Sequence, residues 1–206
     1  MSISILNTDT ANISSLVRCF KKFGVNPLIT NNIDECISNS RKIILPGIGN
    51  MKYMNKFKNE IKQKLLKFIS NENNYLLGIC LGAQAMMNYS EESESETLGL
   101  ISGDCRKIYD LSKINLNIGF RKIIYKKKNN PLLNKLFSNI DNESKFYFLH
   151  KYYIKNQDKD SITLETFVDK KKIDCLLIKK NIIAIQFHPE LSKNAGEKFL
   201  KNFSSL

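Results

Sequence analysis

Tyr75-Leu76-Leu77-Gly78-Ile79-Cys80-Leu81-Gly82-Ala83-Gln84 decides the fold. Tyr75 to Ile79 is a nearly continuous apolar run, and such runs suit strands buried on both faces, as in parallel sheets. Ala83 to Met87 continues as a helical stretch. Between them stands Gly78-Ile79-Cys80-Leu81-Gly82, the pattern of a nucleophile elbow with cysteine in place of serine. A sharp strand-to-helix turn strains the backbone of the central residue. Side chains two positions to either side would collide, hence the glycines. The turn lifts the sulfur above the sheet and sets it at a helix N-terminus, where the dipole favours a thiolate. Backbone N–H groups there can hold an oxyanion. A buried structural cysteine between chance glycines is the competing reading; the strand before and the helix after favour the elbow.

Working outward, Ile3-Ser4-Ile5-Leu6 reads as a short strand and Asn12 as a helix N-cap. Ile13, Leu16, Val17, Phe20 and Phe23 follow at 3–4 spacing, with Gly24 where a C-cap glycine belongs. Asn26 to Thr30 and Lys42 to Leu45 are further strands, the latter stopped by Pro46-Gly47. Met54, Phe57, Ile61, Leu65 and Phe68 mark a long amphipathic helix. This alternation predicts an α/β fold: a doubly wound, mostly parallel sheet with helices on both faces. The second half changes texture. Strands are expected at Ile118 to Tyr125, Lys145 to Leu149, Ser161 to Val168, Asp174 to Lys179 and Ile182 to Phe187, an antiparallel extension. Turn signals separate them at Lys126 to Pro131, Asn156 to Asp160 and Lys179 to Asn181. Ser192 to Phe203 closes the chain as a helix with Ser192 as N-cap. No linker divides the 206 residues, so one domain over 1–206 is expected.

Hydrophobic residues are 42% and charged residues 25%, ordinary globular usage. The apolar runs are far too short to span a membrane, and no amino-terminal stretch has the form of an export signal. The five cysteines are odd in number and form no CxxC pair, which argues against a disulfide scaffold and against a metal site. A reducing cytoplasm is the simpler expectation. The net charge of +12 invites a nucleic-acid reading, yet only four of the 32 basic residues are arginine. The lysines are spread along the chain, as a solvated surface would have them. No nucleic-acid or membrane partner is expected.

A thiolate needs a basic partner. The chain has two histidines, His150 and His188. His188 lies in Gln186-Phe187-His188-Pro189-Glu190, directly after an apolar strand, where Pro189 fixes a turn and Glu190 can orient the ring. A surface histidine in a turn is the bland alternative. Cys80 and His188, however, both fall at the carboxyl ends of strands, where open α/β sheets place their sites.

The two motifs together resemble the class I (triad) glutamine amidotransferases over nearly the whole chain. Leu45-Pro46-Gly47-Ile48-Gly49 resembles that family's oxyanion strand. Tyr147 to Tyr153, Ser90-Glu91-Glu92 and His188 to Phe203 resemble the glutaminase subunits of imidazole glycerol phosphate synthase. The resemblance implies a Cys80–His188–Glu190 triad hydrolysing glutamine through a thioester. It implies an oxyanion hole from Leu81 and the Gly47, Ile48 and Gly49 segment. Gln84 and Glu92 would hold the glutamine head group, and His150 and Tyr152 would line the pocket. No cofactor is implied. Ammonia would pass to a cyclase subunit of (β/α)₈ barrel type in a heterodimer, met through Asn12, Phe120, Arg121 and Tyr147.

Some segments depart from the family pattern. Asn7 to Asn12 lacks the usual glycine, Leu116 to Arg121 keeps only Gly119, and Leu191 replaces a lysine. They fall where the family docks its partner, so a paralogous subunit supplying ammonia to a surface-sugar synthase is the alternative. A cysteine peptidase on the same fold would lack His-Pro-Glu at this spacing. A non-catalytic binding module would not need the intact Cys, His and Glu set.

Overall fold

The computed structural model describes residues 2–7, 13–47, 51, 58–124 and 130–206. Asn12, Ile48, Gly49, Met54, Phe57 and Tyr125, named above, lie outside the described residues. The first half runs β1 (Ile3–Leu6), α1 (Ile13–Lys21), β2 (Leu28–Thr30), α2 (Ile33–Asn39), β3 (Lys42–Leu45), α3 (Lys58–Ile69), β4 (Tyr75–Ile79) and α4 (Leu81–Ala85). The second adds β5 (Tyr89–Ser90), β6 (Ser95–Glu96), β7 (Gly103–Lys107), α5 (Ile108–Ser112), β8 (Asn117–Ile124), α6 (Pro131–Leu136) and β9 (Lys145–His150). It continues through β10 (Tyr152–Asn156), β11 (Ile162–Val168), β12 (Lys171–Lys179) and β13 (Ile182–Ile185), then a 3₁₀ turn (Pro189–Leu191) and α7 (Lys193–Ser204).

The main sheet has the order β2-β1-β3-β4-β13-β12-β11-β8-β9. β2 through β13 pair in parallel. The neighbours from β13 to β9 pair antiparallel. A smaller sheet, β10-β7-β5-β6, stands beside it. The fold is therefore the expected mixed α/β architecture. Strand alternation sends side chains to two separate cores. Ile44, Leu77 and Ile79 pack with Leu16 and Phe20 of α1 and Phe199 of α7. Ile43, Leu45 and Leu76 pack with Ile33, Leu65, Phe68, Met86 and Met87 on the other face.

Local signals explain most element ends. Gly24, at φ +78°, stops α1, and the Val25 N–H reaches back to the Phe20 carbonyl at 3.1 Å. Besides the small sheet and α5, which the sequence reading did not give, three details differ from it. α2 was not anticipated: it has only Ile33 and Cys36 buried, and Asn32 starts it by accepting from the Asp34 and Glu35 N–H groups at 2.9 and 3.4 Å. Of the expected Lys126 to Pro131 turn only Asn130 and Pro131 are described, and they start α6: Asn130 caps the Leu133 N–H at 2.8 Å and Pro131 occupies the first turn. Ser192 is the N-cap residue of α7, but its hydroxyl makes no capping bond. All five cysteines are buried free thiols. Among the described residues no helix is long and apolar enough to cross a membrane.

Candidate active site

β4 and β13 are parallel neighbours with Ile79 opposite Ile185. The Cys80 N–H donates to the Ile185 carbonyl at 2.8 Å. The sheet thus sets residue 80 beside residues 186–188. Cys80 has φ 50° and ψ −105°, outside the comfortable regions for a residue with a side chain. Such a backbone costs about 1–3 kcal/mol and persists only where its surroundings enforce it. The glycines are required by contact. A Cβ on Gly78 would come 2.8 Å from Gly82 carbonyl oxygen, and one on Gly82 would come 2.0 Å from the Leu45 carbonyl oxygen. Gly47 lies equally close over the start of α4, where a Cβ would meet the Leu81 Cβ at 2.3 Å.

His188 leaves β13 into the 3₁₀ turn. Its Nδ1 and Glu190 Oε1 are 2.9 Å apart, both side chains buried. The backbone is clamped as well: the His188 N–H donates to the Tyr147 carbonyl at 2.8 Å. The Ser192 hydroxyl donates to the His188 carbonyl at 2.5 Å and accepts from the Tyr147 N–H at 2.9 Å. This is where the supposed capping hydroxyl is spent. His188 Nε2 is buried and makes no hydrogen bond among the described residues. Burial opposes charging this ring, but the Cys80 sulfur and then Glu190 outweigh it and raise its pKa to about 10. Beside an ionised sulfur the ring is favoured as imidazolium.

The sulfur has two polar neighbours that the sequence reading gave no role. The Gln186 amide Nε2 lies 3.6 Å away and the Leu149 carbonyl oxygen 3.8 Å. Gln84 and His150 are brought close to this centre but are committed inward. Gln84 Nε2 donates to the Tyr152 carbonyl at 2.7 Å and to Gln186 Oε1 at 3.3 Å. His150 Nδ1 donates to that same carbonyl at 2.7 Å, and its Nε2 accepts from Asn117 at 2.9 Å. Burial drives the His150 pKa down to about 3, with the His188 and Arg121 charges adding to it, so the ring is neutral. Glu92 is half-buried. Desolvation raises its pKa, opposed by a backbone hydrogen bond from Met51 and by the Lys151 charge. The Glu92 charge in turn helps raise the Tyr152 hydroxyl, after burial. Glu92 and Tyr152 therefore lie within electrostatic reach of each other.

On the outer strand pair, Phe120 and Ile118 are exposed on one face of β8. Phe120 stacks edge-on against Tyr147 at 5.4 Å, and Lys193 Nζ lies 5.1 Å from its ring centre. Arg121 Nε donates to Asn117 Oδ1 at 3.1 Å. Among the described residues no group of three or more His, Cys, Asp or Glu could hold a metal ion.

Comparison with known proteins finds relatives along the whole chain. The chain is 35% identical over 202 residues to imidazole glycerol phosphate synthase subunit HisH of Pasteurella multocida, covering 98% of this chain and 96% of that one. It is 35% identical to the subunit of the same name from Pelagibacter ubique, with both chains fully covered. The fold superposes on PurLQS from Thermotoga maritima with a TM-score of 0.73 at 15% identity, covering 99% of this chain and 97% of that one. A glutamine amidotransferase of the same organism gives 0.63 at 13% identity, covering 100% and 83%. The family model for glutamine amidotransferase class-I matches residues 5–205, and the chain belongs to that family.

Proposed function

We propose that the chain is the glutaminase subunit of an imidazole glycerol phosphate synthase, acting in histidine biosynthesis. The observation that carries this is Cys80 on a strained elbow at the end of β4, beside a His188–Glu190 pair at the end of the neighbouring β13. The Cys80 thiolate attacks the side-chain amide carbon of glutamine, and the carbonyl oxygen takes up negative charge. The Leu81 N–H and the Gly47–Gly49 segment stabilise that oxygen. As the tetrahedral species collapses, the C–N bond breaks and the His188 imidazolium donates its proton to the departing nitrogen, giving ammonia and a thioester. Neutral His188 then takes a proton from water as its oxygen attacks the thioester. Glutamate leaves and the thiolate–imidazolium pair is restored. Glu190 holds the ring through Nδ1, so that Nε2 faces the chemistry.

Glu92, backed by Tyr152, is suited to the ammonium end of glutamine. Gln84 and His150 serve the pocket from behind, through the Tyr152 carbonyl. Ammonia passes to a cyclase partner of (β/α)₈ barrel type. Exposed Phe120, with Tyr147 behind it and Arg121 beside it, supports docking through β8 and β9. The histidine pathway is preferred over the surface-sugar alternative because full-length relatives at 33–35% identity carry the HisH name. The test is glutamate release by the purified chain with its co-encoded cyclase. Cys80→Ala should abolish turnover and leave the melting temperature unchanged. Parent-level hydrolysis by that variant would overturn the proposal.

A further inference from the structure

Gln186 is fully buried, and each atom of its amide is accounted for. Its Oε1 accepts from the Ile154 N–H at 3.2 Å and from Gln84 Nε2 at 3.3 Å. A flipped amide would turn two donors against two donors, so hydrogen bonding alone fixes which end meets the sulfur. That end is the NH₂, 3.6 Å from Cys80 Sγ. The other polar neighbour of the sulfur, the Leu149 carbonyl at 3.8 Å, is an acceptor. It suits a neutral S–H, which can donate to it, and repels a thiolate. Gln186 does the reverse, since an N–H directed at an anion is a charge-assisted hydrogen bond.

We propose that Gln186 is a positioning residue for the reaction, holding the Cys80 side chain in one orientation and favouring its thiolate over its thiol. The proposal rests on the glutaminase reading and adds to it a group outside the triad. The orientation of Gln186 is enforced from a distance. Gln84 is held by the Tyr152 carbonyl, which also accepts from His150. His150 is held by Asn117, and Asn117 by the half-buried Arg121. Gln186, His150 and Asn117 each have donor and acceptor used, so none of the three can turn without leaving a buried polar group unpaired.

The test measures alkylation of Cys80 by iodoacetamide as a function of pH, located by mass spectrometry, in the parent, Gln186→Glu and Gln186→Leu. The sulfur–carbon bond forms and iodide leaves, so the rate follows the thiolate. The pH midpoint of the variants should move up by about one unit, the size expected for a hydrogen bond to a charged group, so below the parent's midpoint they should react about tenfold more slowly. Gln186→Glu should shift more than Gln186→Leu, because a carboxylate oxygen then faces the sulfur. It keeps Oε1 for Ile154 and Gln84 but buries an unpaired carboxylate oxygen, so its melting temperature should fall while the fold is kept. The kcat for glutamine should fall with KM little changed. Gln84→Met, which leaves Gln186 in place but unpins it, should move the midpoint less and in the same direction. A folded Gln186→Glu or Gln84→Met with the parent's midpoint overturns the proposal. The glutaminase reading fails differently: it falls if Cys80→Ala retains turnover, whatever happens at Gln186.

Discussion

Adding one methyl group at Gly82 tests whether the elbow is held by contact, as its geometry says. An alanine Cβ there would lie 2.0 Å from the Leu45 carbonyl oxygen and 2.7 Å from its carbon. Ordinary contact needs about 3.5 Å, so the end of β3 and the start of α4 must part by roughly 1.5 Å. Both contacts are backbone, so no side chain can swing aside. Leu45 leads directly into Pro46 and Gly47, and the oxyanion segment moves with it. Misplacing a reacting group by about 1 Å costs on the order of 100-fold in rate. Overpacking of this kind costs about 1–3 kcal/mol of stability. Gly82→Ala should therefore lose about 100-fold in kcat/KM for glutamine, measured by glutamate release with the cyclase present, and melt several degrees lower. Gly24→Ala is the control. It sits at φ +78° with nothing within 4 Å of its Cβ, so it should cost about 1–2 kcal/mol of stability and leave activity per folded molecule unchanged. A Gly82→Ala protein with the parent's kcat/KM would refute the steric account of the elbow.

Glu190→Gln should lower kcat by about 100-fold or more, since the ring loses the group that orients it. Because the folded pKa of His188 is raised to about 10, its contribution to stability is complete below about pH 6.5 and lost as pH rises towards 10. Urea titrations should show Glu190→Gln losing less than the parent across that window. His150 works the other way: its folded pKa of about 3 lies below the ordinary 6.5, so the unfolded chain takes the proton first. The stability it supports is present above about pH 6.5 and falls as pH drops towards 3, by on the order of several kcal/mol. His150→Gln should flatten that acid limb, and an unchanged slope between pH 6.5 and 3 would show that the ring is not buried neutral.

The elbow was legible in the sequence because its logic is local. Gly78, Cys80 and Gly82 crowd one another within five residues, and β4 and β13 announce themselves as buried apolar runs. The His-Pro-Glu turn is equally compact. What escaped the sequence depends on contacts between distant segments. Gln186 meets Cys80 across 106 residues and Asn117 meets His150 across 33, with nothing in either local pattern to pair them. Gln84 and His150 could be named from the sequence but their orientation could not, because the Tyr152 carbonyl that turns both inward belongs to β10. That strand escaped too. Its partner β7, Gly103-Asp104-Cys105-Arg106-Lys107, mixes charge with burial and has no clean alternation. Asn130-Pro131 shows a further limit, since the residues that signal a turn also start a helix.

The place of β13 in the sheet has a consequence for how the protein is made. Of the described strands it is the last in sequence and so leaves the ribosome after the others, yet it lies in the interior, between β4 and β12. Until it arrives, those two strands present open edges, of the kind that pair with other chains. Parallel pairing between segments 100 residues apart is also slow to form, so this exposed state has time to be dangerous. The same strand delivers Gln186 and His188, and Glu190 follows it. A nascent chain therefore acquires Cys80 long before it acquires anything that can activate the sulfur. With the proposed triad, insertion of β13 would seal the sheet and bring the sulfur its partners in one event, leaving an incompletely folded molecule no means of squandering glutamine.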